Sequence, residues 1–495
     1  MQINLQREKP TCNCGVFGIY GSPNASLETY YGLHALQHRG QEACGIITKN
    51  ISPKGNPHFS VHKGEGLVTE VFDDHTLFQN KLIGNVAIGH NRYSTTGSSQ
   101  SLKNIQPFLV NYRLGNLAVA HNGNLTNAKQ IREELVNEGS IFQTTSDTEV
   151  ILHLIARSRL NHQVDQIKEA IQKIEGAFSL VLMTDNRLIG ARDSRGFRPL
   201  VIGKLHDAYI ITSETCAFDI LSAEFIREVQ PGEIVVIDDE VLKTGEIKSY
   251  HISEKSEKQN HCIFEYIYFS RPDSFIFGHN VDKMRRRLGK VLARNHPVFN
   301  EGEEKVIVIS VPDSSNTTTL GYQTELEKLG VNCKLEIGLI RSHYIGRTFI
   351  QPGQANREIG VKIKFNTVKG VLEGRTVVLV DDSIVRGTTS KQLVKLIREA
   401  NPKSIHLRIS SSPITHPCFY GMDFPSKEEL FANNFNSNIK EMGKYLGVDS
   451  LEYLTIDEML EAVSEAGKDN FCHACFSGKY PINVDLNFKK EIYEI

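Results

Sequence analysis

The sequence predicts two domains in tandem, an α+β unit of many short strands followed by an α/β unit on an open parallel sheet. Three observations predict this. The chain has 495 residues, more than one hydrophobic core supports. Up to about Ser249, short apolar segments such as Asn85–Gly89, Asn116–Ala120 and Phe178–Met183 alternate with turn signals. Beyond a polar stretch at Glu254–Asn260, longer apolar runs alternate with amphipathic patterns, the texture of parallel strands with crossover helices.

Composition narrows the class of function. The chain is 40% hydrophobic and 23% charged with a formal net charge of −2, so no global field favours nucleic acid or a membrane surface. The leader Met1–Pro10 lacks an apolar core, and no run approaches the roughly 18 apolar residues of a membrane span. The expectation is a cytoplasmic protein. Nine cysteines, an odd number scattered along a long chain, point to catalytic or metal-bound thiols rather than a secreted disulfide framework.

The first element carries the first chemistry. Cys14 opens the apolar run Cys14-Gly15-Val16-Phe17-Gly18-Ile19-Tyr20. Clipping of residues 1–13 would put its thiol and a free α-amine on one carbon. An amine with a pKa near ~8 can take the thiol proton near neutral pH, giving a nucleophile with its own base. Helical periodicity follows at Glu149–Ala156, among the short strands.

In the second unit, Lys305–Val311 reads as a buried strand, and Val377–Val380 as another that ends in Asp381 and Asp382. The loop Ser383-Ile384-Val385-Arg386-Gly387-Thr388-Thr389-Ser390 then enters a helix with apolar positions at Leu393, Leu396, Ile397 and Ala400. Small and hydroxylic residues at a helix start present N–H groups and hydroxyls to a phosphate, while the carboxylates suit ribose hydroxyls or Mg²⁺. No P-loop is present, and no GxGxxG follows a strand.

The segment 377–390 resembles the phosphoribosylpyrophosphate (PRPP) signature of type I phosphoribosyltransferases. Val311-Pro312-Asp313-Ser314-Ser315 resembles their pyrophosphate loop, with Ser314 implied near the metal. It continues into Asn316-Thr317-Thr318-Thr319, more polar than the small apolar residues the resemblance leads one to expect. Residues 341–364, with Tyr344 through Pro352, resemble the lid that closes over PRPP. With Cys14, residues 14 to 480 are similar to the glutamine PRPP amidotransferase family. The fold implied is an N-terminal-nucleophile glutaminase sandwich over residues 14–253, then a phosphoribosyltransferase open parallel sheet over 262–495 with a C-terminal cluster-binding tail.

The resemblance assigns roles to the motifs Leu36–Glu42, Gly89–Gly97, His121–Leu125 and Thr145–Asp147. It implies that Arg92 holds the glutamine α-carboxylate, a task suited to a planar fork of donors. Asp147 would hold the α-ammonium. Asn122 and the Gly123 N–H would form the oxyanion hole, a placement worth roughly 3 kcal/mol per donor. Asp381 and Asp382 would hold ribose and Mg²⁺, and Arg386, Gly387, Thr388, Thr389 and Ser390 the 5′-phosphate. The implied reaction is the first step of purine synthesis, glutamine hydrolysis with transfer of ammonia to PRPP. Two alternatives stand beside it: another N-terminal-cysteine amidotransferase, such as the sugar-phosphate type, and a non-catalytic PRPP-sensing regulator. The PRPP segment weighs against the first, and Cys14, Arg92 and Asp147 against the second.

Cys472-His473-Ala474-Cys475 is a C-x₂-C pair that alone suits zinc or a redox dithiol. In the iron-sulfur subgroup of the family, cysteines matching Cys262 and Cys418 complete a [4Fe–4S] ligand set. Four thiolates also suit zinc, so only the resemblance favours iron. The cluster would be a structural staple far from the chemistry. Cys12, Cys44, Cys216 and Cys333 are expected to be plain thiols, mostly buried. The resemblance further implies a homotetramer inhibited by purine nucleotides such as AMP, GMP or ADP, which would oppose lid closure.

Overall fold

The structure, a computed structural model, describes residues 14–52, 54–93, 102–253, 258–300, 304–342, 364–424 and 426–484. The leader with Cys12, residues 94–97 of the second motif, residues 254–257 of the expected linker and residues 343–363 of the expected lid lie outside them.

The first unit is a sandwich of two antiparallel sheets. One sheet has seven strands, with Gly15–Tyr20 at its centre between Val86–Arg92 and Ala208–Thr212. The other has six, with Gly115–Leu125 beside Gly176–Thr184. Val16, Tyr20, Val86 and Ile88 of the first sheet meet Ala118, Ala120, Val181 and Met183 of the second in one core. Alternate residues point outward. Phe17 and Ile19 pack under the helix Ala25–Ala35, and Phe178, Leu180 and Leu182 under the helices Ala128–Asn137, Thr148–Arg157 and Gln163–Ile171. Helices therefore cover both outer faces. Because both sides of these strands are buried, they read as continuous apolar runs rather than as an alternation.

The second unit has a five-stranded parallel sheet in the order Cys333–Leu335, Val306–Ser310, Thr376–Asp381, Ser404–Ile409, Ser450–Tyr453. Helices Val281–Asn295 and Asn316–Lys328 lie among the residues packed on one face, and Thr388–Arg398 on the other. The polar start of Asn316–Lys328 has a packing reason. Thr318 and Thr319 are fully buried, and the Thr319 hydroxyl donates back to the Ser315 carbonyl at 2.7 Å. The Thr318 carbonyl lies against Gly289, where a β-carbon would stand 1.9 Å from that oxygen, so the two helices approach closely.

Candidate active site

Cys14 is buried immediately before the central strand Gly15–Tyr20. It lines a small cavity with Arg92, Tyr93, Gln106, His121, Gly123, Ser146 and Asp147. Sheet register brings these together, since Gly15 pairs with Asn91 and thereby sets Cys14 beside the end of the strand that carries Arg92. The Cys14 thiol donates to the Tyr93 carbonyl at 3.6 Å. Burial pushes that thiol up to about 11, against the pull of the Tyr93 hydrogen bond and the Arg92 charge. Asp147 immediately precedes the helix Thr148–Arg157, and its carboxylate accepts the Leu125 N–H at 3.0 Å rather than a backbone bond from the helix start. That bond ties Asp147 to the strand bearing Asn122 and Gly123.

Gly123 has φ of +150°, and a β-carbon there would stand 1.9 Å from the Ala177 carbonyl oxygen, so only glycine fits. The Asn122 side chain is fully buried, and among the described residues its amide nitrogen and oxygen have no hydrogen-bond partner. A buried amide left unpaired is costly, and Asn122 is not itself among the residues that line the Cys14 cavity.

The second site lies at the carboxyl end of the parallel sheet, where α/β folds of this kind bind ligands. Asp381 and Asp382 end the strand Thr376–Asp381 and are buried. The Ser315 hydroxyl donates to Asp381 at 3.0 Å and lies 3.4 Å from Asp382. Ser383 donates to Asp382 at 2.6 Å. Ser314, the residue singled out in the sequence, is half-buried in the same loop, and it is its neighbour Ser315 that reaches the carboxylates. Gly387 has φ of +78° and begins the helix Thr388–Arg398. Thr388 is exposed, Thr389 half-buried and Ser390 buried, while Arg386 pairs with Glu429. Arg341, at the near end of the expected lid, pairs with Asp313 at 3.1 Å. Two adjacent buried carboxylates with hydroxyl support are hard oxygen donors that fit Mg²⁺.

Cys262, Cys418, Cys472 and Cys475 come together from three segments and are all free. Cys262 and Cys472 are register partners on two short parallel strands. The Cys475 carbonyl accepts from Thr415 and His416, which joins its turn to the Cys418 loop. Burial raises the Cys262 and Cys475 thiols, Cys262 to about 11, and charge on Cys418 acts in the same direction on both. Among the described residues, no three donors close on one point as ligands of a single metal ion. Four gathered soft thiols are the donor type of an iron–sulfur cluster and equally of zinc. The expectation that this group stands far from all chemistry needs correction, because Asn124 donates to the Phe419 carbonyl at 3.0 Å and Gly421 abuts Gly123.

Residues 90–219 match the glutamine amidotransferase domain family. Amidophosphoribosyltransferase of Bacillus subtilis is 47% identical over 475 residues, covering 95% of this chain and 94% of that one. The chain belongs to the amidophosphoribosyltransferase family. It is an enzyme of the first step of purine biosynthesis. The chloroplastic amidophosphoribosyltransferase 1 of Arabidopsis thaliana is 49% identical over 476 residues, 96% of this chain and 80% of that one. The solved structure of the B. subtilis glutamine PRPP amidotransferase in complex with ADP and GMP aligns with a TM-score of 0.85 at 46% identity, covering 96% of this chain and 98% of that one. A second solved structure, an allosteric regulatory enzyme of purine biosynthesis, aligns with a TM-score of 0.86 at 46% identity, covering 96% and 97%.

Other residues stand at the sites without having been singled out in the sequence. His121 lines the Cys14 cavity, with Nδ1 3.0 Å from the Thr148 hydroxyl, and lies within the His-Asn-Gly motif that signals its neighbours. Gln106 accepts the His121 N–H at 2.8 Å from a segment with no sequence signal. Among the described residues, no helix is long and apolar enough to cross a membrane.

Proposed function

We propose that Cys14, freed of residues 1–13, attacks the side-chain amide of glutamine held by Arg92 and Asp147. The observation that carries this reading is the convergence of Cys14, Arg92, Gly123 and Asp147 on one cavity. Burial raises the Cys14 thiol, so its attack calls for a base at contact distance, and the α-amine on its own carbon is such a base. Asn122 and the Gly123 N–H take the charge that develops on the amide oxygen. Ammonia leaves, and water then releases glutamate from the thioester.

At the second site, Asp381 and Asp382 hold the ribose hydroxyls of PRPP, and Arg386 through Ser390 hold its 5′-phosphate at the helix start. Mg²⁺ there, supported by the carboxylates and the Ser314–Ser315 loop, would offset the charge of the departing pyrophosphate. Ammonia adds at C1 as pyrophosphate leaves, giving 5-phosphoribosylamine. Closure of residues 341–364 keeps water from the reacting carbon. The four cysteines hold a [4Fe–4S] cluster in a structural role. Purine nucleotides of the AMP, GMP and ADP type oppose lid closure, a reading supported by the ADP and GMP in the B. subtilis structure. The reading places a homotetramer in the cytoplasm, where the free thiols of the described residues are at home.

Cys14→Ser tests the assignment. Glutamine-dependent synthesis should disappear while ammonia-dependent synthesis at high pH survives, because the phosphoribosyl site does not use the thiol. Retained glutamine activity would reject it.

A further inference from the structure

Two buried arginines of the glutaminase half meet one carboxylate of the other half. Glu265 is fully buried at the start of the short π-helical turn Glu265–Phe269. Arg39 grips it with two donors, at 2.8 Å and 3.1 Å, and Arg198 donates to it at 3.1 Å. Ser270 adds a hydroxyl at 2.5 Å. Each arginine reaches onward to a different part of the glutamine site. Arg39 donates through Nε to the Cys14 carbonyl at 3.4 Å and lies over the Phe269 ring. Arg198 donates to the Tyr420 carbonyl at 3.1 Å and 2.7 Å. The next residue, Gly421, is so close to Gly123 that a β-carbon there would stand 3.1 Å from the Gly123 Cα.

We propose that Glu265 is a positioning residue for the glutamine half of the reaction, fixing the nucleophile through Arg39 and the backing of Gly123 through Arg198. The proposal rests on the assignment of Cys14 and Gly123 made above. Glu265 is not among the residues that line the Cys14 cavity, so it acts only through its partners. The turn it begins is also braced from the opposite side. Buried Arg285 donates to the Tyr266 and Ser270 carbonyls, both at 2.8 Å. One turn of chain thus joins Arg285 to the two arginines that reach Cys14 and the backing of Gly123. Neutralising Glu265 leaves Arg39 held by its buried pair with Glu214 and Arg198 by the Tyr420 carbonyl, so each loses one of the contacts that fix its direction.

The test is Glu265→Gln in the processed full-length enzyme, with Cys14→Ser alongside as the independent check on the underlying assignment. The kcat for glutamine-dependent synthesis should fall about tenfold to a hundredfold, the effect of a small misplacement of reacting groups. KM for glutamine should stay within about twofold, since Arg92 and Asp147 are untouched, and ammonia-dependent synthesis should persist. Glu265→Asp should restore part of the loss. Equal loss of both activities together with a lowered melting temperature would mean a merely structural role and overturn the proposal, as would an unchanged glutamine kcat. If Glu265→Gln does not yield folded enzyme, Arg198→Lys is measured in the same way, and an unchanged glutamine kcat there overturns it equally.

Discussion

The side-chain amide of Asn124 donates to the backbone carbonyl of Phe419 at 3.0 Å, across 295 positions of sequence. One partner follows the Asn122-Gly123 pair, and the other follows Cys418. The cysteine loop is therefore part of the wall behind the glutamine site. Phe197 stacks on Tyr420 at 4.4 Å, and Ala177, which faces Gly123, shares a core with Phe419, Cys472 and Ala474. Order at the four cysteines and order at the strand Gly115–Leu125 depend on the same contacts.

Gly123→Ala should separate the two half-reactions. The added β-carbon would meet the Ala177 carbonyl oxygen at 1.9 Å, and alanine resists a φ of +150°, so the strand must shift. Displacing one oxyanion donor costs roughly 100-fold to 1000-fold in rate. Glutamine-dependent synthesis should fall by about that factor, with ammonia-dependent synthesis retained. Assays with the two nitrogen donors check this, and equal loss of both would point to unfolding instead.

Cys472→Ser and, independently, Cys262→Ser should give colourless, poorly folded protein, because losing one ligand forfeits the binding energy of the whole site. Iron and sulfide content of the anaerobically purified wild type decides the identity of the group. Zinc in their place would overturn the cluster while leaving the enzymatic reading intact.

Much of this was legible in the sequence, for physical reasons that also set its limit. The strand ending at Asp381 and the helix Thr388–Arg398 announce themselves through local apolar pattern and loop chemistry, as do Cys14 and the His-Asn-Gly motif, which lies within the strand Gly115–Leu125. Glu265, Arg39 and Arg198 do not. Their charges are buried by pairing between residues more than 60 positions apart, and hydropathy along the chain carries no trace of a tertiary partner. The two serines of the loop give no register in the sequence, and only the fold decides that the Ser315 hydroxyl faces the carboxylates.

Acid should loosen the junction of the two halves. Burial alone would raise the Glu214 and Glu265 carboxyls, but His38 and Arg39 beside Glu214, and Arg39 and Arg198 beside Glu265, hold both below the ordinary value of 4.5. A carboxyl depressed by folding contributes stability that is present above its unfolded pKa and lost as pH falls toward the folded one. The contribution should be steady from neutral pH down to about 5 and decline below 4.5. Denaturant midpoints recorded across that range check it, and Glu214→Gln should show a shallower acid decline than wild type. An identical slope in the variant would remove Glu214 from the account.

The double variant Asp381→Asn, Asp382→Asn tests the link between the sites. Both side chains are buried beside Ser315 and keep their shape as amides, so the fold should survive while the negative charge is lost. PRPP-dependent synthesis should fall by ~100-fold or more with either nitrogen donor, since the ribose and metal contacts fail together. Glutamine hydrolysis should persist at a basal rate, because the described Cys14 cavity contains neither aspartate. If occupation of the PRPP site is what raises glutaminase activity, that basal rate should no longer rise when PRPP is added. Among the described residues the two sites share no side chain, so the effect requires a conformational path between them. Undiminished PRPP stimulation in the double variant would reject both the binding role of the aspartates and the coupling built on it.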